Sequence, residues 1–164
     1  MSTPTDWPPP PPLIGALLRV PANSIQRRLI AELNDSGFDE LRPPHMAVLQ
    51  YPGPDGVSPG TLADRAGISK QAMNQLLRTL ESSGYIARSD HGEDARATVV
   101  QFTKRGRAAY AKMAEILQEI EREWASELGT RPFAELKALL GRVWQSPLSG
   151  VEPLQAGSKS ARRR

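Results

Sequence analysis

Residues 58–106 constrain the fold of this chain more than any other stretch: SPGTLADRAGISKQAMNQLLRTLESSGYIARSDHGEDARATVVQFTKRG. Ser58-Pro59 supplies a hydroxyl N-cap followed by a residue whose φ is already helical. Leu62, Ala63 and Ala66 form the apolar side of a short helix, and Gly67 ends it, as glycine does where φ must be positive. Ile68 then fills the angle before the next helix, which Ser69 caps. In that second helix Met73, Leu76, Leu77 and Leu80 follow the i, i+3, i+4, i+7 rule and make one apolar stripe. Gln71, Asn74, Gln75 and Arg78 have the same spacing on another face.

Gly84 breaks the second helix. Tyr85-Ile86-Ala87-Arg88 reads as the start of a strand, and Asp90-His91-Gly92-Glu93-Asp94 as a turn cluster. Thr98-Val99-Val100-Gln101-Phe102 is β-rich, with Val99 expected to pack inward beside Val100 and Phe102. Thr103 would cap a third, long helix. Helix, tight turn, helix and hairpin in that order describe a winged helix-turn-helix, with recognition helix 69–83 and wing 86–102. Such a unit presents a polar helix face to the DNA major groove and a charged hairpin beside it. Amides can bond adenine edges bidentately, Arg can take guanine or phosphate, and Lys70 at the helix start can meet a phosphate. For an isolated helix the polar face would mean only solvation; the flanking turn and hairpin argue for the reading face.

Asp94-Ala95-Arg96, an apolar strand closing on Phe102-Thr103, and Gly106 resemble the wing signature of the MarR (multiple antibiotic resistance regulator) family. Leu62-Ala63, Ile68-Ser69, Leu76, Leu80-Glu81 and Gly84-Tyr85-Ile86 are similar to its helix-turn-helix pattern. The resemblance covers about residues 13–146 and is most specific over 58–106. It implies a homodimeric transcription regulator, expected to be a repressor, on a pseudo-palindromic double-stranded operator. It also implies that Arg96 reaches a minor groove while Asp94 steadies it, which suits a guanidinium in the negative potential of a narrow groove. The DNA-contacting set expected is Ser69, Lys70, Gln71, Asn74, Gln75, Arg78, Arg88, Asp94 and Arg96. Relatives of this kind often bind a small, aromatic or phenolic effector where the dimerisation helices meet the reading unit. His45, Met46, Leu49, Tyr110 and Met113 are the corresponding residues, with plain core packing as the alternative.

The fold class expected is mainly α with a small β-hairpin wing. The winged unit (44–106) would lie within a single domain over 13–146, flanked by dimerisation helices 13–35 and 104–146. Pro21 falls inside the first of these and should kink or break it near Val20. Pro43-Pro44 should open a short helix carrying Met46, Leu49 and Tyr51, closed by Pro52-Gly53. Tyr110, Met113, Ile116, Leu117, Ile120, Trp124 and Leu128 stripe the long helix, and Phe133, Leu136, Leu139, Leu140, Val143 and Trp144 a final one. Such stripes exceed what one subunit of 164 residues must bury, which suggests terminal helices packed against their copies. Residues 1–12, with their proline run, and the basic segment 147–164 read as disordered tails.

The net charge of +3 belongs to the C-terminus: Lys159, Arg162, Arg163 and Arg164 contribute four positive charges and leave the rest at −1. Any DNA footprint must therefore be local, on Lys70, Arg78, Arg88, Arg96, Lys104, Arg105 and Arg107. The absence of cysteine excludes thiol redox sensing, disulfides and Cys-ligated zinc. No apolar run approaches the ~20 residues that span a bilayer, and no signal peptide is evident, so a cytoplasmic location is expected. His45 and His91 lie in separate elements without a third ligand, and no phosphate loop or nucleophile motif occurs. Neither an enzyme, a metal nor a cofactor is expected. Two other readings share the fold: a winged-helix protein-interaction module, and a ligand-binding protein without DNA activity.

Overall fold

The computed structural model of the protein describes residues 12–50, 56–90 and 98–146. The element order is α1 (Ile14–Asp35), a 3₁₀ turn (Pro43–His45), α2 (Met46–Leu49), α3 (Pro59–Ala66), α4 (Lys70–Ser82), β1 (Ile86–Asp90), β2 (Thr98–Phe102), α5 (Lys104–Leu128) and α6 (Thr130–Trp144). The mainly helical architecture with one small antiparallel hairpin agrees with the sequence expectation. Val57 adds a bridge to Val100, so the wing is widened on one side by the segment leading into α3.

The helix ends follow from local chemistry. Ser58 Oγ accepts from the Thr61 N–H at 3.1 Å, and Ser69 Oγ from the Ala72 N–H at 3.1 Å, each removing an orphan donor of a first turn. Between them Gly67 takes a left-handed conformation (φ 64°), and the Ile68 N–H returns to the Ala63 carbonyl at 3.1 Å. That closure fixes the angle between α3 and α4.

One core serves the whole reading unit. Leu62, Met73, Leu77, Leu80, Tyr85 and Ile86 are buried together with Leu29 and Leu33 of α1 and Met113, Ile116 and Ile120 of α5. Leu76, expected in the buried stripe, is only half-buried, because it lies at the flank of the face that Met73, Leu77 and Leu80 share. In β2 it is Val100 that is buried; Val99, expected inward, is half-exposed, since neighbouring residues on a strand point to opposite faces.

Pro21 does not break the first helix: α1 is a single element from Ile14 to Asp35. Proline forfeits one backbone hydrogen bond and crowds the carbonyl four residues back. Only about two turns precede Pro21, and the residues that anchor α1 to the core, Leu29 and Leu33, lie well beyond it.

The surplus of apolar surface on the terminal helices is real. Leu13, Ile14, Leu17, Leu18 and Val20 on α1 or just before it, and Leu136, Leu139, Leu140, Val143 and Trp144 on α6, are exposed; within α6 only Phe133 is buried. Among the described residues no helix is long and apolar enough to cross a membrane.

Candidate nucleic-acid interface

On α4 the buried residues Met73, Leu77 and Leu80 leave Lys70, Gln71, Gln75 and Arg78 exposed, while Asn74, nearer the edge, is half-buried. Three turns of rigid helix thus carry two amides and two cations on solvent, all capable of reaching base edges or phosphates. Ser69 is occupied as the N-cap.

The wing root is a tight knot. Thr103 Oγ1 donates to the Gly84 carbonyl at 2.6 Å and accepts from the Gly106 N–H at 3.1 Å, and the Thr103 N–H donates to the Tyr85 carbonyl at 3.1 Å. A methyl group on Gly106 would lie 1.9 Å from the Tyr85 carbonyl oxygen. The Thr-x-x-Gly spacing of the sequence therefore has a steric cause: the first turn of α5 is seated on the backbone that leaves α4.

Beside this knot lies a polar cluster that sequence reasoning missed. The Tyr85 hydroxyl donates to Glu40 Oε2 at 2.9 Å, and Arg105 Nη2 donates to both Glu40 oxygens at 2.7–2.8 Å. The Arg105 guanidinium also covers the Tyr85 ring, 4.8 Å from its centroid. Glu40 is held below its usual carboxylate range by a backbone N–H, then by the Tyr85 hydroxyl and Arg105. Burial, then the bond to Glu40, pushes the Tyr85 hydroxyl up. Arg105 is thus tied up rather than free for phosphate. Nothing in residue periodicity marks Glu40, which comes from the loop after α1.

Arg88 is only 22% exposed, packed along α4 with Nε 3.2 Å from Glu81 Oε2. Lys104 and Arg107 are exposed at the start of α5, Arg107 with one nitrogen on the Phe102 carbonyl at 2.8 Å. Asp94 and Arg96, expected to read a minor groove, lie outside the described residues, as do His91 and Tyr51.

Of the residues expected at an effector site, four lie in the interior and one on the surface. His45, Met46, Leu49 and Met113 are buried core. His45 Nδ1 accepts the Arg42 N–H at 3.1 Å, the turn-satisfying role, and burial followed by the Arg42 charge lowers its pKa. Tyr110 is exposed and stacks on Phe102 with centroids 5.9 Å apart. An open crevice of about 450 Å³ does exist nearby, lined by Gln26, Pro43, Pro44, Met46, Ala47, Gln50 and Ala66. Of the expected set it contains only Met46; the others come from three separated segments that no local pattern joins. Among the described residues no group of three or more His, Asp or Glu is placed to hold a metal.

The sequence model of the MarR family matches residues 42–97, which take in the 3₁₀ turn, α2 to α4 and most of the wing. The HTH-type transcriptional repressor Rv2887 of Mycobacterium tuberculosis is 30% identical over 88 residues, 54% of this chain and 63% of the relative. Its structure in complex with salicylic acid superposes with a TM-score of 0.60 at 27% identity, covering 82% of this chain and 98% of that one.

Over its reading unit the chain is similar to the MarR family.

The fold is shared more widely. E. coli MarR in its reduced form superposes with a TM-score of 0.67 at 22% identity, over 81% of this chain and 97% of that one. The S. aureus MepR–DNA complex gives 0.63 at 21% identity, over 80% and 94%. The match spans 63% of the length of the mycobacterial relative. The Gly84-Tyr85 backbone, Thr103 and Gly106 are the residues that fasten the start of α5 to the end of α4.

Proposed function

We propose that the protein is a sequence-specific DNA-binding transcription regulator that works as a homodimer. The observation that carries this reading is α4: Lys70, Gln71, Gln75 and Arg78 are presented on solvent by a helix whose opposite side is fully buried. In this reading α4 enters the major groove, Gln71, Gln75 and Asn74 meet base edges, and Lys70 and Arg78 meet phosphates or guanine. Arg96, with Asp94 beside it, enters the adjoining minor groove, and Lys104 and Arg107 add phosphate contacts. The exposed apolar faces of α1 and α6 pack against their copies, which sets two α4 helices about 34 Å apart, one turn of DNA.

The name of the mycobacterial relative as a repressor supports the same sign of regulation here. The open crevice between α1 and α3, apolar apart from the Gln26 and Gln50 amides, is the place an effector would take, and the salicylic acid in the relative's structure supports a small aromatic one. Its effect requires different affinities for two arrangements of the reading helices.

Selection of bound duplexes from a random pool, repeated across salt concentrations, tests the proposal. An enriched inverted repeat with half-site centres one turn apart is expected. Absence of enrichment overturns the reading and leaves the winged fold as a protein-interaction module.

A further inference from the structure

Arg88 belongs to β1, where it pairs with Val100, yet its side chain turns back along α4. Its Nε lies 3.2 Å from Glu81 Oε2, and Nη2 reaches the Asn74 backbone carbonyl at 3.5 Å. Asn74 and Glu81 are seven residues apart, two helical turns, so they share one flank of α4. The guanidinium spans that flank beside the reading residues. Its Nε is inaccessible to solvent and lacks an aligned hydrogen-bond acceptor; the carboxylate of Glu81 is the charge that compensates it. Moving Arg88 out to a phosphate would leave Glu81 unpaired and uncover the α4 flank.

We propose that Arg88 is a positioning residue, not a DNA contact: with Glu81 it braces the first wing strand against the recognition helix and fixes the angle at which helix and wing approach DNA together. This rests on the DNA-reading proposal above and revises one member of the contact set. The two roles make opposite forecasts. If Arg88 bound phosphate, Glu81 would compete for it, and Glu81→Gln would tighten binding. As a brace, Glu81→Gln loosens the wing and weakens binding.

The test measures affinity of the full-length protein for its selected duplex over a salt series, for wild type, Arg88→Gln, Glu81→Gln and the double variant. Amide hydrogen exchange of the DNA-free proteins accompanies it. The brace forecasts a similar loss for each single variant, about 2- to 5-fold as fits a partly exposed ion pair, with no further loss in the double. The salt slope stays at the wild-type value, and exchange quickens over residues 86–90 but not over 113–120. A slope reduced by about 1.8 in Arg88→Gln, about 0.9 for each subunit of the dimer, marks a lost phosphate contact and overturns the brace. So does unchanged or tighter binding by Glu81→Gln. Should the wild type show no salt-dependent duplex affinity, the DNA-reading proposal fails by itself; exchange then decides the brace, and unaltered exchange over 86–90 in both variants refutes it.

Discussion

Gly106→Ala tests the seat of α5 most directly, because generic helix physics and this structure forecast opposite signs. Inside a helix, Gly→Ala ordinarily stabilises by about 0.5–1 kcal/mol, through lower unfolded-chain entropy. At position 106 the added methyl would fall 1.9 Å from the Tyr85 carbonyl oxygen. A normal carbon–oxygen contact is about 3.3 Å, so helix and strand must part by roughly 1.4 Å. The Thr103 N–H bond to Tyr85, now 3.1 Å, would open beyond hydrogen-bonding distance, and the Thr103 Oγ1 bond to Gly84 would stretch with it. Two bonds at about 1 kcal/mol each, less the propensity gain, leave a net loss of about 1–1.5 kcal/mol. Urea denaturation followed by circular dichroism, at one fixed protein concentration, measures it. Gly141→Ala is the control: it lies within α6 with open space where the methyl would go, and should gain about 0.5–1 kcal/mol. If Gly106→Ala matches the control in sign, the knot does not hold α5 and the reasoning is wrong.

Arg96→Ala should weaken operator binding by about 1–3 kcal/mol with the dimer intact, read by fluorescence anisotropy; unchanged affinity would remove the wing arginine from the interface. Leu140→Glu places a carboxylate on the exposed apolar face of α6 and should shift the protein toward monomer in sedimentation, without loss of helicity; an unchanged dimer would mean α6 is not the contact. His45 has a pKa lowered by burial, so folding disfavours its proton. The unfolded chain then binds more protons, and stability falls as pH drops through the ordinary histidine range near 6.5 toward the lower folded value. Replacing His45 by Gln should flatten that part of the stability–pH curve, whatever its effect on stability at pH 8. A curve of unchanged slope would assign the dependence to other groups.

Elements governed by local chemistry were legible in the sequence. Ser58, Ser69 and Thr103 cap the helices they were expected to cap, Gly67 makes the expected left-handed turn, and the expected α5 boundaries (103 to about 128) match Lys104–Leu128. Tertiary placement was less legible. Periodicity put Leu76 in the core stripe, but packing buries Leu77 and leaves Leu76 at the edge. The Pro21 rule gave a kink or a break near Val20; of the two the break is absent, because a proline near the start of a helix disturbs little that the core depends on. Residue type alone offered Arg88 and Arg105 as cations for DNA. Their partners, Glu81 and Glu40, are reached only through the fold, Glu40 from 65 residues away. His45 illustrates the converse: it is buried, as the core alternative had it, and its Nδ1 accepts the Arg42 N–H.

These ties bear on how a signal would travel in the proposed regulator. The first turn of α5 is fastened to the end of α4 by backbone contact through Gly106, by the Thr103 bonds, and by the Arg105–Glu40–Tyr85 cluster, which adds the loop after α1. Further along, Arg28 of α1 bonds Glu123 of α5, so the two long helices are linked at a second level. The crevice is lined by α1 at Gln26, the Pro43–Pro44 turn, α2 and the end of α3 at Ala66. A ligand wedged there would press on α3, whose left-handed Gly67 turn is the joint to α4, while the far end of α4 stays held by the α5 seat. The response open to α4 is then a tilt about its C-terminal end, which moves Lys70 and Gln71 most and Arg78 least. Coupling of about 1–3 kcal/mol between crevice and reading helix would suffice for useful control.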